Sequence, residues 1–338
     1  MTTTASPASP QTPTGEVTKA RSNDYFEWFG RYGALVVLAL LIIVTSIMAP
    51  DTFPTVDNAV NILNQSALAA IIAMGLTFVL VTGEFDLGLG SAASLAGVVG
   101  CSLMVNAEFG IIPALLGALV VGALIGLTNG FIVTFMNVSA LVATLGTGTV
   151  VIGLNYVISD GTPVSLADPD KFVEITFGRF LGIPYPVYVM IVIAALLWWL
   201  LNRTVLGQSM QAVGGNRVAA ELSGIRVDRV RLIAFAVCSM CAALTGFLLA
   251  SRTGSATLAA GDPYLLSSFA AAFFGSAVLR DGQFHVVGTL VGVITVSVGF
   301  NAIALIGLET YSQYLFQGLL LILGVGVGSL ARRRAARA

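Results

Sequence analysis

Ten stretches of this sequence, at about 33–49, 60–81, 91–105, 111–135, 140–158, 186–201, 232–250, 264–279, 286–306 and 312–330, are dominated by apolar residues. A helix needs about 20 such residues to cross a bilayer, so several qualify outright, while 91–105 and 264–279 are short. Short or glycine-interrupted helices in transporters often line the path rather than face lipid. Composition excludes a soluble fold: 57% of residues are hydrophobic and 10% charged, with a mean hydropathy of +0.92. Soluble domains carry about 25% charged residues. The expected fold is therefore an all-α integral membrane protein of about ten transmembrane helices.

Ten crossings put both ends on one side, and Lys and Arg decide which. With the ends in the cytoplasm, thirteen basic residues fall inside and three, Lys171, Arg179 and Arg252, outside. Both termini are expected to be cytoplasmic. Residues 1–30 then form an N-terminal tail, disordered where Thr, Ser, Pro and Ala dominate and interfacial over DYFEWFGR. The tail lacks the basic start and short apolar core of a signal peptide. A membrane domain over 31–331 and a basic tail over 332–338 complete the division. The longest external connection, 159–186, suits either a docking surface or a solvated loop.

The largest charged island is 202–231, with Arg203, Arg217, Arg226, Arg229 and Arg231. Hydrocarbon rejects those charges, so the island is a cytoplasmic loop. Within it Gly214 and Gly215 offer a turn, Asn216 is a good helix N-cap, and Arg217 to Leu222 are helix formers that stop at Gly224. A short helix here fits a groove on a partner protein, and equally a capped surface turn.

QAVGGNRVAAELSGIRV, in this island, resembles the cytoplasmic loop of permease subunits of ATP-binding-cassette importers for ribose-type sugars. GEFDLGLGSAASLAG, from Gly83 to Gly97, and ALVATLGTGTVVIGL, from Ala140 to Leu154, are similar to two further segments of that family, in the same order. The resemblance implies an ABC importer permease fold, with a coupling segment at Gly214, Gly215, Asn216, Arg217, Ala220, Glu221 and Gly224. It also implies a homodimer or paired permease in the bacterial cytoplasmic (inner) membrane, a cytoplasmic ATPase with two nucleotide-binding domains, and an extracytoplasmic solute-binding protein. ATP and Mg would belong to the ATPase, with no cofactor on this chain.

The residues agree with that division of labour. No GxxxxGK[ST] phosphate loop is present, and Lys19 and Lys171 are the only lysines. Glu84, Asp86, Arg252, Asp262 and Arg280 fall at the expected membrane edges, which argues against proton coupling and for a partner ATPase. No nucleophile–base pair or metal set is visible, so the chain is expected to be non-catalytic and metal-free; His285 is the single histidine and is expected at the interface. Cys101, Cys238 and Cys241 lie in apolar segments and are read as packing residues. The net charge of −1 gives no reason to expect nucleic acid.

Neutral sugars are held by amides, hydroxyls and aromatic faces, and the candidates within the spans are Asn64, Gln65, Asn129, Asn155, Phe269, Phe273, Phe274 and Asn301. At the cytoplasmic turn, Asp86 either caps the next helix or pairs with Arg280. The resemblance has two departures: Glu84 stands where a second glycine is common, and the turn at 274–288 carries the bulky Arg280, Asp281, Phe284 and His285. A monosaccharide or polyol is the expected substrate. A nucleoside, an autoinducer-type sugar derivative or a branched-chain amino acid is the alternative, and a partner-independent channel or gradient-driven carrier is the alternative from another class.

Overall fold

The computed structural model describes residues 24–276 and 282–335. Expectations for the first residues of the tail and for Arg280 and Asp281 lie outside these. Each of the ten apolar segments corresponds to one helix, the last three residues of 264–279 lying outside the described ones: α1 (Asp24–Met48), α2 (Val56–Val81), α3 (Leu89–Asn106), α4 (Ile111–Phe135), α5 (Ala140–Ser159), α7 (Tyr185–Arg203), α10 (Val227–Thr253), α11 (Asp262–Ser276), α12 (Val286–Leu305) and α13 (Tyr311–Ala335). Seven of the helices among the described residues are long and apolar enough to cross a membrane. The chain is thus an all-helical multi-pass membrane protein, apart from four two-residue strands.

The 159–186 connection is structured. It holds β1 (Val164–Ser165), α6 (Asp170–Phe177) and a hairpin of β2 (Arg179–Phe180) with β3 (Ile183–Pro184). β1 pairs antiparallel with β4 (Ser255–Ala256), which follows α10. Phe172 of α6 is buried, and its carbonyl accepts a hydrogen bond from the Ser251 hydroxyl. The short helix is therefore fastened to the end of α10.

The centre of the bundle is α2, α3 and α10. Lipid is as apolar as leucine, so helices associate here through close packing and polar contacts rather than through exclusion of water. Gly126 of α4 sits on the Phe235 backbone of α10, and Gly97 of α3 on the Gly246 carbonyl. Gly292 of α12 lies on the Ala271 carbonyl of α11 in the same way. Cys238 and Cys241 are buried free thiols in the α10 seam, and a Cβ at Gly75 of α2 would overlap Cys241. Buried hydrogen bonds lock α2 to α12: Thr77 with Thr289 at 2.7 Å, and Asn58 with Asn301 through both side-chain amides at 3.0 and 2.8 Å.

One connection departs from its expected position. Gly261, just before α11, packs on Gly90 at the start of α3, and its N–H donates to the Ser94 hydroxyl at 2.9 Å. The segment after β4 therefore runs back along α3, so Asp262 begins α11 beside the start of α3 instead of at the opposite membrane edge. Small residues allow that approach, since a side chain at Gly261 would collide with the Gly90 carbonyl.

Candidate functional site

The island 202–231 folds into two short helices. α8 (Val205–Gly215) is capped by Thr204, whose hydroxyl accepts from the Gly207 N–H at 3.1 Å. Leu206, Met210 and Val213, at helical spacing, turn its apolar side inward. That spacing and the Thr204 cap are the signals by which the sequence could have revealed α8. α9 (Arg217–Leu222) follows the sequence expectation: the Asn216 Oδ1 accepts from the Ala219 N–H at 3.0 Å, and Gly224 ends it with φ +83°. Ala220 is the buried anchor. Arg217, Val218, Glu221 and Leu222 all face outward, with Leu222 85% exposed. Two apolar and two charged side chains are thus left uncovered on this short capped helix.

Beneath α8 lies the connection from α2 to α3. Gly214 rests on the Val81 carbonyl, where any Cβ would overlap. The chain turns at Gly83 (φ +82°), Glu84 pairs with Arg231 of α10, and the Phe85 ring stacks on Phe269 and Phe273 at 6.2 and 6.4 Å. Asp86 is fully buried; its Oδ1 accepts from the Gly88 N–H at 2.9 Å, while Oδ2 has no partner among the described residues. The carboxylate thus shapes the turn before α3, whose N-cap Gly88 has no side-chain cap bond, while Arg280, the other expected partner, lies outside the described residues. Burial pushes its pKa up to about 6, against the Gly88 N–H hydrogen bond that pulls it down.

On the other side of α11 a half-open cavity of about 420 Å³ lies between α2, α10, α11 and α12. Its polar lining is Gln65, Arg252, Tyr264, Ser267 and Ser297, with Phe300 as an aromatic wall. The volume suits a small ligand, and a few convergent polar groups over apolar walls are what such sites need. The positive end of the α11 dipole also lies here, since Pro263 and Tyr264 of its first turn line the space.

The structure distributes the candidate path residues. Gln65 lines the cavity, and Asn64 is half-buried nearby on α2 without lining it. Phe269 and Phe273 form the aromatic stack with Phe85. Phe274 is buried where α13 crosses at Gly324. Asn129 accepts from the Thr147 hydroxyl beside Asp86. Asn155 donates to the Leu258 carbonyl at 2.9 Å and holds the segment before α11, and Asn301 is committed to Asn58. His285, expected at the interface, is buried and caps α12 through the Gly288 N–H at 2.9 Å.

A family model described as the branched-chain amino acid transport system permease component matches residues 58–325. The chain is 37% identical to the ribose import permease protein RbsC of Haemophilus influenzae, covering 86% of this chain and 91% of that protein. It is 32% identical to the L-arabinose ABC transporter permease protein AraH of Azospirillum brasilense, over 93% and 92% of the two chains. It is also 29% identical to the D-allose transport system permease protein AlsC of Escherichia coli, over 93% and 96%. No solved structure matches the chain significantly.

Proposed function

The chain belongs to the family of branched-chain amino acid transport system permease components, and we propose that it is the membrane subunit of an ATP-binding-cassette importer for a monosaccharide or related polyol. The observation that carries the reading is similarity along almost the whole length to permeases named for ribose, arabinose and allose. The cavity chemistry supports it: an amide, a phenol, two serine hydroxyls, the Arg252 guanidinium and an aromatic wall offer the hydrogen bonds and the stacking face that a polyhydroxylated solute uses.

In this reading the chain crosses the cytoplasmic membrane ten times, α11 doing so together with the segment that runs back along α3 before it; both termini and the α8–α9 segment are cytoplasmic, and the strand-bearing connections are external. Two copies form the transporter. Each α9 docks on a nucleotide-binding domain of the partner ATPase, which holds ATP and Mg and performs all the chemistry; this chain is non-catalytic. An external binding protein delivers the solute. Closure of the ATPase moves α8–α9 as a rigid body and is converted into helix movement.

The test is uptake of labelled ribose, arabinose, allose, a polyol and leucine by proteoliposomes containing this chain with its cognate ATPase and binding protein. We expect ATP-dependent uptake of one sugar or polyol, lost in Glu221→Ala or Arg217→Ala. Uptake that persists without the ATPase would overturn the importer reading, and uptake of leucine alone would move the substrate to amino acids.

A further inference from the structure

The cavity between α2, α10, α11 and α12 holds one charged group, Arg252, and its other lining residues are neutral. Arg252 stands in the last turn of α10, where the helix dipole favours a cation. The dipole explains the charge but not its direction. The side chain is half-buried and lines the cavity, whereas the next residue, Thr253, is exposed. The one ion pair among the described residues is Arg231 with Glu84, so none of their carboxylates lies within salt-bridge distance of Arg252. Its guanidinium makes no hydrogen bond to a described residue either. Asp262, the acid that opens α11, is exposed and does not line the cavity.

The surroundings decide what such a cation can take. Ala69, Val293, Val296 and Phe300 wall the space, and a charge over apolar walls is felt further than one in open water. A neutral sugar offers the guanidinium dipoles only. A carboxylate offers a charge as well, on two oxygens whose spacing fits the guanidinium fork. One arginine balances one negative charge, whereas a phosphate monoester brings about 1.5 to 2. The volume of about 420 Å³ suits a single sugar unit. Gln65, Ser267 and Ser297, from α2, α11 and α12, are then left to meet its hydroxyls.

We infer that Arg252 is the specificity-determining residue of this cavity, and that the solute it selects is the acid form of a monosaccharide, a uronate or aldonate whose carboxylate sits on the guanidinium. This assignment rests on the reading of the chain as a sugar permease and narrows the sugar to a charged class. A neutral solute would leave the cation unbalanced inside the membrane, where an uncompensated charge is costly.

The test measures occupancy of the cavity on the full chain in detergent, with neither ATPase nor binding protein present. The three native cysteines are buried, so Pro263→Cys, at an exposed position of the lining, supplies the thiol that a maleimide can reach. Ser267→Cys is the second reporter. Protection from labelling is titrated with three matched pairs: glucuronate and glucose, galacturonate and galactose, gluconate and sorbitol, with sodium chloride equalising the ionic strength. In at least one pair the acid should protect at a concentration about tenfold lower than its neutral partner, the effect of one hydrogen-bonded charge. Arg252→Gln in the reporter background should bring the two concentrations to within about twofold of each other. Arg252→Met supplies the same comparison if that variant does not fold. Equal protection within every pair, or protection by none of the acids, would overturn the inference. So would a preference for the acid that survives Arg252→Gln in a protein melting like the parent. Stronger protection by glucose phosphate than by glucuronate would overturn the carboxylate. In the complete importer, ATP-driven uptake of a neutral sugar without uptake of its acid would overturn the inference and leave the transporter reading standing. Absence of any ATP-driven uptake would count against the transporter reading, while the labelling ratio is measured apart from it.

Discussion

Helices α2 and α5 are alike as sequences, each a run of Ala, Gly, Thr, Val, Leu and Ile of bilayer-crossing length, yet 78% of the apolar window of α2 is buried in the chain and 22% of that of α5. The difference is in their neighbours. α2 is enclosed by α10, α12, α11 and α7, whereas α5 packs through Ala143, Thr144 and Gly148 on α3 and leaves Val142, Val150 and Val157 uncovered. In a membrane, apolarity says only that a helix can leave water; small and polar residues at helical spacing say which face meets protein.

The comparison can be broken most forcefully by removing volume. Phe78 of α2 is fully buried, and Phe78→Ala should cost about 3–5 kcal/mol, because neighbouring helices cannot collapse into the space. Val150→Ala on α5, 63% exposed, should change stability by less than about 0.5 kcal/mol, since lipid or detergent refills the gap. Thermal unfolding in detergent measures both. Equal losses would mean that α5 is as tightly packed as α2.

Adding volume gives the next effect. Gly75→Leu on α2 would drive a side chain into Cys241 and the Cys238 carbonyl, and should destabilise by about 2–3 kcal/mol. Gly153→Leu on α5 meets nothing within 4 Å and should be neutral or raise stability by some tenths of a kcal/mol through helix propensity. Both can be read as the fraction of monodisperse protein after mild heating.

These contrasts also mark what the sequence could reveal. Every helix that holds an apolar segment was legible, because an apolar run has few alternatives once it leaves water. α9 was legible too, since Asn216 and Gly224 are local start and stop signals whose chemistry needs no tertiary partner. The Glu84–Arg231 pair was not: nothing local distinguishes Arg231 from the four other arginines of its island, and only the packing of α2 against α10 selects it. The return of the chain along α3 before α11 was hidden for the same reason, as a short polar segment after a long helix reads as an external loop until Ser94 is seen to receive the Gly261 N–H. Of the candidate path amides, Gln65 reached the cavity while Asn129, Asn155 and Asn301 serve as fastenings, a division that residue type alone cannot make.

The smallest effect compares the acids that follow the two helices. Asp86, after α2, is fully buried, and Asp160, after α5, is exposed. Because burial raises the Asp86 pKa from 3.8 to about 6, the fold holds its proton more tightly than the unfolded chain does. The ionised carboxylate therefore costs stability, and that cost grows as pH rises from about 4 to about 6 and is constant above it. Asp86→Asn keeps an oxygen for the Gly88 N–H and removes the charge, so it should stabilise the protein by on the order of 1–2 kcal/mol at pH 8. The gain should shrink as pH falls below 6, while Asp160→Asn leaves the melting temperature at pH 8 unchanged. A destabilised Asp86→Asn at pH 8 would mean that the ionised form has a partner at its second oxygen, and the turn into α3 would then be held by charge rather than by its single hydrogen bond.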